Sequence, residues 1–266
     1  MLPDYHIHTE LCKHAAGKVS EFKEAAAAAG IRTICFTDHA PNLDGVGRDF
    51  CMDMKQFPEY REAIAPFRKQ KTPKVLFGIE ADYYPGCERS LPKWLESGAF
   101  DIVLGSVHYM NGWGIDNEAE MAAWKTADVA DVWKRYFEMI GRMADTGLFD
   151  VAAHLDLPKK FGYRPPDKLV AKLVKPALDR IATAGMTIEI NTAGLRKPVR
   201  EIYPSPMILA LARERNIPIC FGSDAHEPAQ VGSDFDKAIA LARSVGYAES
   251  VRFRARKKTM VPLPSA

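Results

Sequence analysis

Short apolar, β-branched runs alternate along the chain with longer amphipathic stretches. The runs lie at 4–8 (DYHIH), 31–37 (IRTICFT), 74–83 (KVLFGIEADY), 101–109 (DIVLGSVHY), 149–155 (FDVAAHL), 186–192 (MTIEINT) and 217–222 (IPICFG). Their length and apolar character are those of strands covered on both faces. Helical periodicity falls between them, at 18–29, 55–70, 88–97, 118–146, 166–184, 205–215 and 234–245. The stripe Val129, Val132, Trp133, Tyr136, Phe137, Ile140 and Ala144 marks one face of the longest helical stretch. Asn117 and Glu120 form a capping pair at its start, Gly147 stops it, and Thr126–Asp128 is a point at which it breaks in two.

Seven strand-then-helix units predict parallel strands wrapped by helices, as a closed barrel or an open doubly wound sheet. An open sheet concentrates its chemistry at one switch point, whereas a barrel collects residues from the ends of many strands. The sequence holds no GxGxxG phosphate loop and no long Gly/Ser/Pro linker. Its least regular stretches, 40–54 and 110–117, follow strands, where barrel loops carry function. SVRFRA at 250–255 is too charged for a central strand and is expected at an edge or in a tail, with RFRARKK at 252–258 solvated.

Composition changes little in this picture. The 266 residues, 47% of them hydrophobic, suit one domain over 1–266. A net charge of +2 gives no electrostatic case for nucleic acid or a membrane surface. Five cysteines without CxxC spacing read as reduced thiols, and no signal peptide or spanning segment is visible, so a cytoplasmic location is expected. Nothing in the sequence sets the oligomeric state.

The histidines decide the function. FGSDAH, at 221–226, ends an apolar run on a glycine and then presents Asp224 and His226, two apart and on one side of an extended segment. His6 and His8 alternate around Ile7 at the end of the first run, and His14 follows. His39 ends the second run, Glu80 the third, His108 the fourth and His154 the fifth. All seven histidines sit at or just beyond a strand end. A single such histidine is more often a satisfied loop residue than a ligand. Parallel strands, however, deliver all their C-terminal ends to one face, and these imidazoles and carboxylates need cations between them. They suit two or three divalent metals with mixed N/O donors.

The motifs HxH at 6–8, TDH at 37–39, GIE at 78–80, GSVH at 105–108, AHLD at 153–156 and GSDAH at 222–226 resemble those of the polymerase-and-histidinol-phosphatase (PHP) superfamily. HTELCKHAAG at 8–17, FDVAAHLDLPKKFG at 149–162 and EINTAGLRKPVREIYPS at 189–205 resemble its monofunctional histidinol-phosphate phosphatase branch. The resemblance implies a distorted (β/α)7 barrel and a trinuclear metal site. It assigns His6, His8, Glu80 and Asp224 to a first metal. Glu80 bridges to a second, completed by His108 and His154, and His14, His39 and His226 hold a third. Glu80, Asp224 and His226 thereby become catalytic as well as ligating.

Clustered cations suit hydrolysis of a phosphate monoester by metal-bridged hydroxide, without a side-chain nucleophile. Zinc, iron and manganese all fit such donors. Arg196 is a phosphate anchor, through the two-pronged guanidinium. Lys197 and Arg164 are further candidates and are equally read, with Arg200, as solvated charges. Asp156 is either the acceptor that orients His154 or the acid that protonates the leaving alkoxide, the acceptor role being favoured. Glu189 and Asn191 either line the pocket or satisfy polar groups inside the barrel. The expected activity is hydrolysis of L-histidinol phosphate in histidine biosynthesis. A phosphoesterase for another small ester or a nucleotide, and a metal-binding module without turnover, stand as alternatives.

Overall fold

The computed structural model describes residues 2–264 apart from 42 and 46, two positions of the 40–54 loop that therefore lie outside the described residues. Seven strands form one sheet in which sequence neighbours are parallel spatial neighbours. They are β1 (Asp4–Ile7), β2 (Thr33–Phe36), β3 (Lys74–Asp82), β4 (Ile102–Ser106), β5 (Val151–Ala152), β6 (Thr187–Asn191) and β7 (Ile219–Gly222). A parallel bridge between Ile7 and Ala225 brings the sheet round on itself, with His8 N donating to Ala225 O at 2.9 Å. The buried Asp4 carboxylate fastens the same seam by accepting from Ser223 N and Gly232 N, each at 2.9 Å. The sheet is a barrel, as the resemblance implied.

Helices α1 (Val19–Ala28), α2 (Phe57–Arg68), α3 (Leu91–Gly98), α4 (Val129–Asp145), α5 (Asp167–Thr183), α6 (Pro206–Glu214) and α7 (Phe235–Ser244) alternate with the strands. The break expected at 126–128 is present. Asn117 caps a 3₁₀ segment, Glu118–Lys125, and Asp128 caps α4 by accepting from Ala130 N and Asp131 N. The α4 stripe from Val132 to Ala144 is buried. Each large apolar side chain there contributes about 1.5–3 kcal/mol by leaving water.

Three sequence expectations need correction. The stretch after Gly222 is not extended, because Asp224 takes a left-handed φ of 53°, so Asp224 and His226 reach the rim through a turn and not by strand alternation. The fifth run is only a two-residue strand, because His154 takes a positive φ of 23° and turns the chain out of the sheet. Segment 252–258 is not a solvated tail. It belongs to a hairpin of β8 (Glu249–Arg254) and β9 (Lys257–Pro262). Alternation along β8 buries Val251 and Phe253 against Tyr5, Cys35 and Cys220 on the apolar floor of the barrel. Arg256, expected in solvent, pairs with Asp150 at 2.9 Å. Among the described residues no helix is long and apolar enough to cross a membrane.

Candidate metal centre

The strand ends bring all seven histidines, Glu80 and Asp224 to one rim. Glu80, 1% exposed, is the hub. Its Oε2 lies 3.3 Å from His6 Nε2, 3.6 Å from His8 Nε2 and 3.1 Å from His39 Nδ1. Its Oε1 lies 3.0 Å from His154 Nε2 and 3.8 Å from His108 Nε2, and accepts a short hydrogen bond from Ser106 Oγ. Asp224 Oδ1 is 3.1 Å from His8 Nε2, and His14 and His226 meet at the outer lip with their Nε2 atoms 3.0 Å apart. His39 stands between the groups, sharing a tight donor set with Glu80 and His108 and another with His8 and His226.

Hydrogen bonds behind the rings set their tautomers. His6 Nδ1 donates to Glu189 Oε1 (2.7 Å) and His108 Nδ1 to Asp82 Oδ1 (2.8 Å). His14 Nδ1 donates to the Cys12 carbonyl (2.8 Å) and His226 Nδ1 to the Asp224 carbonyl (3.0 Å). A carboxylate or carbonyl only accepts, so each Nδ1 carries a proton and each Nε2 is the inward-facing atom whose lone pair a cation would take. Those nitrogens face carboxylate oxygens or one another. Among the described residues, His6 Nε2, both nitrogens of His8 and Glu80 Oε2 are buried without any hydrogen-bond partner. Buried polar atoms in that state are costly, and cations among them relieve the cost. The donor set fits metal ions on this observation.

Charge is divided across the site. Burial would lower His6, His8 and His108, but Glu189 with Asp224 and Glu80 hold His6 well above the ordinary histidine value, Asp224 and Asp38 do the same for His8, and Asp82 with Glu80 lifts His108 to about 10, so a cation entering there displaces a proton. Burial alone would raise the Glu80 and Asp224 carboxyls, but the imidazoles around them, His6 foremost, outweigh it and hold both well below the usual carboxylate range. Burial, reinforced by neighbouring imidazoles, pushes His39 and His226 well below the ordinary histidine value, so both are neutral bases near pH 7.

The glycine that ends the seventh run has a spatial reason. A Cβ on Gly222 would sit 2.0 Å from Glu189 Oε1 and 2.6 Å from His6 Cβ. The bare glycine leaves room for the Glu189–His6 pair. Glu189 Oε2 also accepts from His154 N and Asn191 Nδ2, both at 3.0 Å, which makes it an organiser inside the barrel.

Of the proposed phosphate anchors, Arg196 and Lys197 line a cleft of about 520 Å³ above the cluster. Arg196 Nη2 donates to Ser223 O at 2.6 Å, while Nη1 is buried without a hydrogen-bond partner among the described residues. Arg164 is placed elsewhere, paired with Asp167 at 2.8 Å and Glu201 at 3.1 Å. Asp156 does not orient His154. It is fully buried, pairs with Lys159 at 2.9 Å and accepts from Ser205 N. Sequence reasoning missed Asp82, although its position two residues after Glu80 on β3 puts it on the same face. It also missed Lys160, whose Nζ lies 3.2 Å from Asp116 Oδ2 in the cleft wall. Forty-four residues separate those two, and no local pattern joins them.

The fold and rim define a parallel α/β barrel with a polynuclear metal-type donor cluster at its C-terminal face. The chain belongs to the PHP domain family, whose model matches residues 4–193, with the PHP-associated model matching 206–234. It is 42% identical to the probable histidinol-phosphatase of Deinococcus radiodurans, over 96% of this chain and 98% of that protein. It is 27% identical to the histidinol-phosphatase of Bacillus subtilis, over 88% of this chain and 96% of that one. The crystal structure of histidinol phosphate phosphatase from Lactococcus lactis, complexed with zinc, L-histidinol and phosphate, superposes with a TM-score of 0.83 at 20% identity. That match covers 97% of this chain and 98% of the other.

Proposed function

We propose that this chain is a phosphoric monoester hydrolase that converts L-histidinol phosphate to L-histidinol and phosphate, the histidine-biosynthetic reaction, using two to three divalent cations. The observation that carries the reading is the inward turn of imidazole nitrogens onto Glu80 and onto one another, in a cleft sized for a small molecule. The names of the Deinococcus and Bacillus relatives support the substrate, and the zinc in the Lactococcus complex supports zinc as one metal. Bound cations supply an activated water and neutralise charge building on the phosphoryl oxygens.

The side chains have separable tasks. His6, His8, Glu80 and Asp224 form the deep donor group, with His108 and His154 on the far side of Glu80 and His14, His39 and His226 toward solvent. Glu189 and Asp82 hold ring orientations and keep the protons on Nδ1. Arg196 steadies the loop carrying Asp224 through Nη2 and offers Nη1 to a phosphate oxygen. Lys197 adds positive charge on the same wall. Arg164, already engaged by two carboxylates, has no part in this scheme.

The deciding assay compares kcat/KM on L-histidinol phosphate with that on other phosphomonoesters. Preference for histidinol phosphate by a factor of ten or more, about 1.4 kcal/mol of transition-state binding, is expected. Equal values across esters would favour the broader reading, which the likeness to a probable phosphatase of Caldanaerobacter subterraneus (26% identity) keeps in view.

Arg196→Ala should raise KM and lower kcat/KM by about 10- to 1000-fold, the loss of a charge-assisted contact of about 1.5–3 kcal/mol or slightly more. Arg196→Lys should recover part of it. Metal content separates the two tasks of Arg196. Unchanged metal with lost affinity fits the phosphate contact, whereas lost metal points to the loop alone.

A further inference from the structure

The 3₁₀ turn Glu10–Cys12 follows β1 directly, capped by Thr9 and reversed by Lys13 at a φ of 72°. The reversal returns His14 to the rim and carries Cys12 with it. The Cys12 thiol is fully buried, and its Sγ lies in a set with donor nitrogens of His14 and His226 in which all atoms are within 4.8 Å of one another. A second set of the same tightness joins it to His8 and Asp38. The other cysteines enter no such set among the described residues, and Cys35 and Cys220 face the apolar floor.

Two further observations point to an occupant here. His14 and His226 each spend Nδ1 on a backbone carbonyl, so their Nε2 lone pairs oppose each other at 3.0 Å. His8, 0% exposed, has both ring nitrogens without a hydrogen-bond partner among the described residues. A cation between these donors relieves the opposition, and sulfur and nitrogen ligands of one tetrahedral zinc stand about 3.6 Å apart, given Zn–S of about 2.3 Å and Zn–N of about 2.0–2.1 Å.

We propose that Cys12 Sγ is a ligand of the cation held by His14 and His226, which makes the outer site a sulfur–nitrogen one beside nitrogen–oxygen inner sites. The inference rests on the metal reading given above. On binding, the S–H bond breaks, its proton passes to solvent, the sulfur lone pair forms the bond to the cation, and no electron changes hands. A thiolate donor biases this position toward zinc or iron(II) and away from manganese.

Cobalt(II) is the probe. The protein stripped of metal and reloaded with cobalt should show a near-ultraviolet thiolate-to-cobalt charge-transfer band, retained in Cys51→Ser and lost in Cys12→Ser. Cys12→Ser should also weaken the most loosely held cation by about tenfold or more in competition with a chelator. Zinc-edge X-ray absorption of the unaltered zinc-loaded protein should contain a sulfur scatterer at about 2.3 Å, and it decides the matter should Cys12→Ser fail to fold. A metal-loaded protein with neither band nor sulfur scatterer overturns the assignment and leaves the metal reading standing, as does a band that survives in Cys12→Ser. A protein that takes up no metal sinks both.

Discussion

Glu80→Gln should strip the chain of bound metal and of phosphatase turnover together while the barrel stays folded. Five imidazoles converge on this one carboxylate within 3.8 Å. Glutamine keeps the shape, but it replaces an anionic oxygen with an amide whose N–H groups can satisfy the inward lone pairs without a cation. The exchange converts a cation site into a hydrogen-bonded one. Metal affinity should fall more than about 100-fold, because loss of a mere outer partner costs 10- to 100-fold. The melting temperature should match that of the metal-free parent, since the apolar floor and helix layers are untouched. Chelation of the parent should likewise abolish turnover, and added divalent metal should restore it. Metals per chain, kcat and thermal unfolding check the set. A Gln variant with parental metal content and kcat would remove Glu80 from the centre of the site.

Lys159→Met should cost about 3–5 kcal/mol of stability, the penalty for removing one partner of a buried ion pair. Lys159 is fully buried with its Nζ 2.9 Å from Asp156 Oδ2, 2.9 Å from Glu201 Oε2 and donating to Ile202 O at 2.7 Å. Methionine fills the volume yet leaves the fully buried Asp156 charge, among the described residues, with only the Ser205 N–H. For a chain of this size that is a fall in melting temperature of roughly 6–20 °C. Adding Asp156→Asn removes the stranded charge while keeping an acceptor for Ser205 N, so the double variant should regain part of the loss. A single-variant cost below about 1 kcal/mol in denaturant unfolding would show that the network contributes little. The same network backs the cleft wall, because the Lys159 ammonium lies 5.1 Å from the ring centre of Tyr203, which lines the cleft.

Much of the candidate site was legible because its donor residues obey a one-dimensional rule. A parallel strand puts its C-terminal end on the common face, so His6, His8, His39, Glu80, His108, His154 and Asp224 could be listed by asking what ends each apolar run. The expected contact from Asp156 to His154 is absent for the opposite reason. Asp156 follows the fifth run closely and has the spacing to share its rim, but the positive φ of His154 and the 3₁₀ segment Leu157–Phe161 redirect the chain toward Glu201 and Lys159. The hairpin at 249–262 was misjudged because charges at alternate positions hid the two residues, Val251 and Phe253, that face the floor.

Local pattern by itself determined the seven β/α units, the helix break at 126–128 and the convergence of donors, since each depends on periodicity or on capping within a few residues. Tertiary structure alone decided which partner each donor receives. Glu189 reaches His6 across 183 positions, Asp82 reaches His108 across 26, and Gly222 must be bare because two side chains from other strands meet above it. Ring tautomers, ion pairs and clearances are set by distances between strands, and spacing along the chain does not encode those distances.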